Sequence, residues 1–132
     1  KLRLCLAHFG GKAEWIKHLK SQVPRDGEAR AWVRWIADMI RSGDYPNLYT
    51  DISYTAFTPQ LGGLYFDVFD YLKVLLTDTR IRARVLFDSD YYMVEREPLT
   101  EKEVSIVLRS RLGDDLYFQI AHHNPKQYLG IS

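Results

Sequence analysis

The sequence has few of the features that several common classes of protein require. It contains one cysteine, Cys5, so no intrachain disulfide and no site built from several cysteines can form. No apolar run approaches the ~20 residues needed to cross a bilayer. Neither sign of charge dominates, since 18 Lys and Arg accompany 17 Asp and Glu, which argues against nucleic acid or a membrane as a partner. These absences predict a soluble, cytoplasmic protein.

The material for a hydrophobic core is present. Of the 132 residues, 46% are hydrophobic and 14% are aromatic, which excludes a disordered chain. The length allows one domain at most, at roughly 150 residues per domain. The chain opens with neither an initiator Met nor a signal peptide. We therefore expect residues 1–132 to be a single, partial domain from something longer.

Short apolar runs alternate with segments of helical periodicity. Strands are predicted at 2–7, 48–53 and 84–87. Helices are predicted at 13–22, 28–42, 64–76, 100–112 and 116–122, followed by a closing turn at 124–125. Gly43 is expected to end the second of these helices, and Thr100 with Glu103 forms a capping-box pattern at the start of the fourth. This order predicts an α/β fold with parallel strands joined by crossover helices.

Each predicted strand is followed by polar or ionisable residues. His8 follows the first strand, Asp51 lies at the end of the second, and Asp88 and Asp90 follow the third. Because the carboxyl ends of parallel strands meet at one edge of a sheet, we expect these side chains to converge. Ligands bind at that edge in folds of this kind.

Each of these residues has a functional and a structural interpretation. His8, beside Gly10 and Gly11, has the chemistry to bind a metal or donate a proton, or it is a half-buried histidine bonded to a loop. The two carboxylates after the third strand have the chemistry to bind a divalent cation and to take a proton from bound water. The alternative is that they form a polar turn. For Asp51 the favoured interpretation is the bonding of neighbouring loops. The tryptophans are expected to be core residues rather than ligand platforms: Trp15, Trp32 and Trp35.

Four segments, taken in order, resemble a known family. They are LRLCLAHFGG, YPNLYTDIS, RVLFDSDYY and HHNPKQYLGI. Together they resemble the C-terminal half of the amidohydrolase-related, metal-dependent hydrolases, which include amidohydrolases and nonoxidative decarboxylases of the aminocarboxymuconate-semialdehyde type. The resemblance implies a (β/α)8 TIM barrel in which this chain supplies strands six to eight.

The resemblance also implies residue roles. His8 would lie beside a metal, expected to be zinc, and polarise the reacting group of a small-molecule substrate. Asp90 would bind the metal and take the proton of the attacking water, which hydrolyses a C–N or C–O bond. The decarboxylases would use the same site without that attack. Asp51, Asp88 and Tyr91 would line the substrate.

The sequence departs from the family pattern at important positions. Asp88 stands where the family usually has Gly, and Tyr92 where it often has Pro. The first-strand His-x-His pair and the fifth-strand histidine are absent. We therefore expect the chain to be inactive alone and to require the missing N-terminal half or another copy. The alternative is a non-catalytic oligomerisation or docking module derived from such a barrel.

Overall fold

Three short strands form one parallel sheet. The computed structural model describes residues 2–20, 30–53, 65–88, 90 and 100–131. Its strands are β1 (Leu4–Leu6), β2 (Leu48–Asp51) and β3 (Val85–Leu86). They lie side by side in the order β1-β2-β3, and both pairs are parallel. The predicted α/β class with parallel strands is confirmed, although each strand is shorter than the segment predicted for it.

Helices connect and follow the strands. A short 3₁₀ turn, Ala7–Gly10, follows β1. The α-helices are α1 (Lys12–Lys20), α2 (Trp32–Ser42), α3 (Tyr65–Leu75), α4 (Thr79–Arg82), α5 (Glu101–Leu112), α6 (Asp114–Phe118) and α7 (Asn124–Leu129). A π-helical turn, Gln119–His123, joins the last two. Among the described residues, no helix is both long and apolar enough to cross a membrane.

Local signals account for several helix ends. Gly43 ends α2 in the left-handed conformation at φ 82°, and its N–H bonds the Ile40 carbonyl. Thr100 caps α5 through the predicted reciprocal bonds with Glu103. Both predictions are confirmed. The start predicted for α2 is wrong, because Ala31 is extended and the helix begins at Trp32.

The core lies between the sheet and the apolar faces of the helices. Trp15 is buried in it as predicted, at 1% exposure. Trp32 and Trp35 are 57% and 51% exposed, so the core prediction is wrong for both. They lie off the face of α2 that packs inwards. That face consists of Val33, Ile36, Ala37 and Ile40.

The segment predicted as a closing turn is the start of a helix. Asn124 begins α7 and is completely buried. Its amide nitrogen donates to the Arg82 carbonyl at 2.7 Å and to the Val85 carbonyl at 2.6 Å, and its oxygen accepts from Gln119 at 2.7 Å. The turn prediction is wrong because Asn-Pro, which often marks a turn, here begins a helix. The buried Asn124 amide attaches the C-terminal helices to β3.

The two outer edges of the sheet differ. Beyond β3, the Phe87 N–H donates to the Ile120 carbonyl at 2.9 Å, so the π-helical turn covers that side. On the other side, β1 pairs only with β2 among the described residues. Leu2 and Leu4 there are 87% and 54% exposed. Within the described part of the chain, the β1 edge is therefore unpaired, with exposed leucines beside it.

Candidate active site

The turn after β1 places His8 at the carboxyl end of the sheet in a constrained backbone. His8 and Phe9 have φ values of 62° and 45°, a region that non-glycine residues seldom adopt. Gly10, at φ 90°, packs so closely against α2 that a Cβ would lie 2.9 Å from the Trp32 Cβ. A glycine is therefore required here. Such conformations are retained only where the surroundings hold them.

Asp51 supplies part of that support. It is 7% exposed, and its Oδ1 accepts from the His8 N–H at 2.9 Å. The same oxygen accepts from the Ser53 N–H at 3.1 Å and from the Ser53 hydroxyl. Its Oδ2 accepts from the Cys5 thiol at 3.4 Å. The carboxylate thus joins the ends of β1 and β2, which corresponds to the loop-bonding role favoured for this residue.

The His8 ring is attached to the same group. Its Nδ1 lies 2.9 Å from the Ser53 Oγ, and Ser53 is 2% exposed. Sequence reasoning missed Ser53. The signal was its position two residues after Asp51, because aspartate often bonds the backbone two residues on. We call these four residues the strand-end cluster: Cys5, His8, Asp51 and Ser53.

Cys5 is the non-reactive member of the cluster. Burial, followed by the charge and hydrogen bond of Asp51, raises the pKa of its thiol to about 12. The thiol is therefore protonated at neutral pH and acts as a donor to the carboxylate. The charge of Asp88 also contributes to this shift, so the end of β3 is electrostatically coupled to the cluster.

The remaining predicted site residues follow β3 in the chain. Asp88 is exposed and Asp90 is half-buried, and Asp90 has a φ of 50°. Asp90 forms no hydrogen bond or ion pair with the described residues. Tyr91 lies outside the described residues. The structure thus brings His8 and Asp51 together, and it places Asp90 at the end of β3 without joining it to them.

The described residues do not fit a complete metal centre. Within residues 2–20, 30–53, 65–88, 90 and 100–131, no group of three or more His, Cys, Asp or Glu side chains is placed to hold an ion. A catalytic zinc usually has about three protein ligands. One carboxylate from Asp90 falls short of that number, so no reaction step is assigned to a metal here.

A groove beside His8 offers space for a small molecule. Its volume is about 280 Å³, and it runs between the turn after β1 and the start of α2. Leu6, His8, Trp32 and Ile36 are among its lining residues. The groove is mainly apolar with an imidazole at one side, which is a common composition for a small-molecule site.

Comparisons with known protein families, curated protein sequences and solved structures found no match to this chain.

Proposed function

We propose that this chain forms strands six to eight of a (β/α)8 barrel in a metal-dependent hydrolase resembling the amidohydrolase-related family. The reaction would be hydrolysis of a C–N or C–O bond, or decarboxylation, in a small molecule. The parallel order β1-β2-β3 supports this proposal, because neighbouring barrel strands are also neighbours in sequence. Three sequential parallel strands are a necessary part of that architecture.

The observation that carries the proposal is the strand-end cluster. Asp51, at the end of β2, binds the backbone of His8 and, through Ser53, its ring. Polar groups from two crossovers therefore meet at the carboxyl edge, where enzymes of α/β folds bind their substrates.

Backbone conformation adds support at the same edge. Among the described residues, the non-glycine positions with positive φ are His8, Phe9 and Asp90. All three follow the carboxyl end of a strand. Strained conformations cluster at functional sites, where the surrounding structure holds them in place.

The proposal assigns the chemistry of two side chains. The Asp90 carboxylate is positioned by the end of β3 and would accept a proton, and the His8 imidazole would face the reacting group of the substrate. The remaining metal ligands would come from strands outside this chain, which is why we expect the chain alone to be inactive. A cytoplasmic location is part of the proposal, and the free thiol of Cys5 supports it.

The test uses the longest polypeptide encoded with this segment. We expect its hydrolase activity to be lost with a chelator and restored by Zn²⁺. His8→Ala and Asp90→Asn should each lower kcat by at least about 10²-fold. Asp44→Asn, an exposed carboxylate in the bend after α2, is the matched control and should leave kcat unchanged. Activity that survives both the chelator and the two substitutions would refute the proposal.

One observation favours the alternative, a non-catalytic docking or oligomerisation module. Among the residues that the structure describes, β1 pairs only with β2, and Leu2 and Leu4 beside that edge are exposed. If the chelator and both substitutions have no effect on a folded protein, but substitutions at this edge abolish assembly, the module is the better description.

A further inference from the structure

The hydroxyl of Ser53 lies between a carboxylate and an imidazole. It is bonded to the Asp51 Oδ1 and lies 2.9 Å from the His8 Nδ1. A serine hydroxyl has one proton to donate, whereas an ionised carboxylate has none. The Ser53 proton must therefore go to Asp51, and the Ser53 oxygen must accept a proton from the ring.

The other contacts of Asp51 support its role as the acceptor. Two backbone N–H groups, from His8 and Ser53, point at Oδ1. A backbone N–H can only donate, so Oδ1 is the acceptor in both bonds. The Cys5 thiol donates to Oδ2 at 3.4 Å, and its pKa of about 12 keeps that proton in place. Both carboxylate oxygens thus receive donors.

We infer that Asp51 and Ser53 are positioning residues that hold neutral His8 in the tautomer protonated at Nδ1, so that Nε2 is its acceptor nitrogen. Along the order Asp51–Ser53–His8, the Ser53 hydroxyl donates to the Asp51 carboxylate, and the His8 Nδ1–H donates to the Ser53 oxygen. A hydrogen-bonded partner on one ring nitrogen generally determines the state of the other.

This assignment changes what His8 does in the proposed reaction, and this consequence rests on the proposed function. Neutral His8 offers an electron pair at Nε2, which accepts a proton or binds a cation. It polarises a carbonyl through an N–H only after it has itself been protonated. The structure therefore favours a proton acceptor or a ligand over the electrophilic role implied by the resemblance.

The test is the tautomer of His8 in the ¹⁵N-labelled full chain, measured by long-range ¹H–¹⁵N correlation at about pH 9, where imidazole side chains are neutral. His8→Gln identifies the His8 signals by their loss. We expect the pattern of an Nδ1-protonated ring. In Ser53→Ala, the ratio of the Nδ1-protonated to the Nε2-protonated form should fall about fivefold, as expected for the loss of one hydrogen bond.

Two further variants show whether the hydroxyl itself is responsible. Ser53→Thr keeps a hydroxyl and should show the same Nδ1-protonated pattern as the wild-type chain. Ser42→Ala removes a hydroxyl that donates to the Met39 carbonyl at the end of α2, and it should change nothing at His8. An Nε2-protonated ring in the wild-type chain would overturn the inference even if Ser53→Ala failed to fold. Because this measurement needs no metal or substrate, its failure is distinct from failure of the proposed function.

Discussion

The Asp51 carboxylate accepts four hydrogen bonds from the described residues. The donors are two backbone N–H groups, a hydroxyl and a thiol, and the Asp51 side chain is nearly inaccessible to water. Hydrogen bonds to a charged acceptor contribute about 1.5–3 kcal/mol each, and a buried donor left without a partner costs about 1–3 kcal/mol. At the scale of single residues, stability and the geometry of the site therefore depend on the same carboxylate.

We predict that Asp51→Ala lowers the free energy of unfolding by about 2–4 kcal/mol, because buried donors at His8 and Ser53 lose their acceptor. Cys5→Ala is the matched control, since it removes one donor and leaves the other bonds intact. It should cost about 1 kcal/mol. Urea titration of the two variants checks this, and equal losses would show that Asp51 does not organise the strand end.

At the scale of elements, β3 depends on its neighbours. It is two residues long, far too short to be stable by itself. It is held by β2 on one side, by Asn124 of α7, and by the bond from Phe87 to Ile120. Because Asp88 and Asp90 follow β3 within four residues, the position of these carboxylates depends on the C-terminal helices that hold β3.

We predict that Asn124→Ala lowers the free energy of unfolding by about 2–4 kcal/mol, since the carbonyls of Arg82 and Val85 lose a buried donor. Hydrogen exchange should accelerate at least tenfold more at the Phe87 amide than at the Leu4 amide, which bonds Asn47 on the other side of the sheet. Gln127→Ala, at an exposed position of the same helix, should have little effect on either amide. Uniform acceleration at both amides would contradict the local role.

At the scale of the whole molecule, the unequal edges of the sheet are the main feature. The π-helical turn covers the outer side of β3, whereas β1 has no second strand partner among the described residues and has exposed leucines beside it. An uncovered strand edge is a template for pairing with another chain. In the proposed barrel this edge would meet the preceding strand, whereas in the chain alone another copy is the available partner.

We predict that the isolated chain self-associates through the β1 edge and that Leu4→Lys raises the dissociation constant at least tenfold, because a charge on an edge strand opposes pairing. Ile106→Lys is the matched control, since Ile106 on α5 is 58% exposed but lies away from the sheet. Sedimentation over a range of concentrations measures both variants. A chain that stays monomeric throughout, or equal effects of the two lysines, would exclude this edge.

Sequence alone predicted the elements whose signals are local. The caps at Gly43 and Thr100 act within one turn of a helix, so their residue types were sufficient. The order of apolar runs likewise predicted parallel strands, because a crossover helix leaves little alternative. The exposure of Trp32 and the burial of Asn124 were not predictable in this way, since each depends on what packs against the residue.

The sequence by itself determined the α/β class, the parallel direction of the strands and the presence of polar residues at the strand ends, because these follow from periodicity and chain connectivity. Tertiary structure decided which of those residues meet. Asp51 reaches His8 and Ser53, while Asp90 remains apart, because a hydrogen bond depends on positions fixed by residues far away in the chain. The proton position on His8 is likewise decided by a serine 45 residues further along the chain.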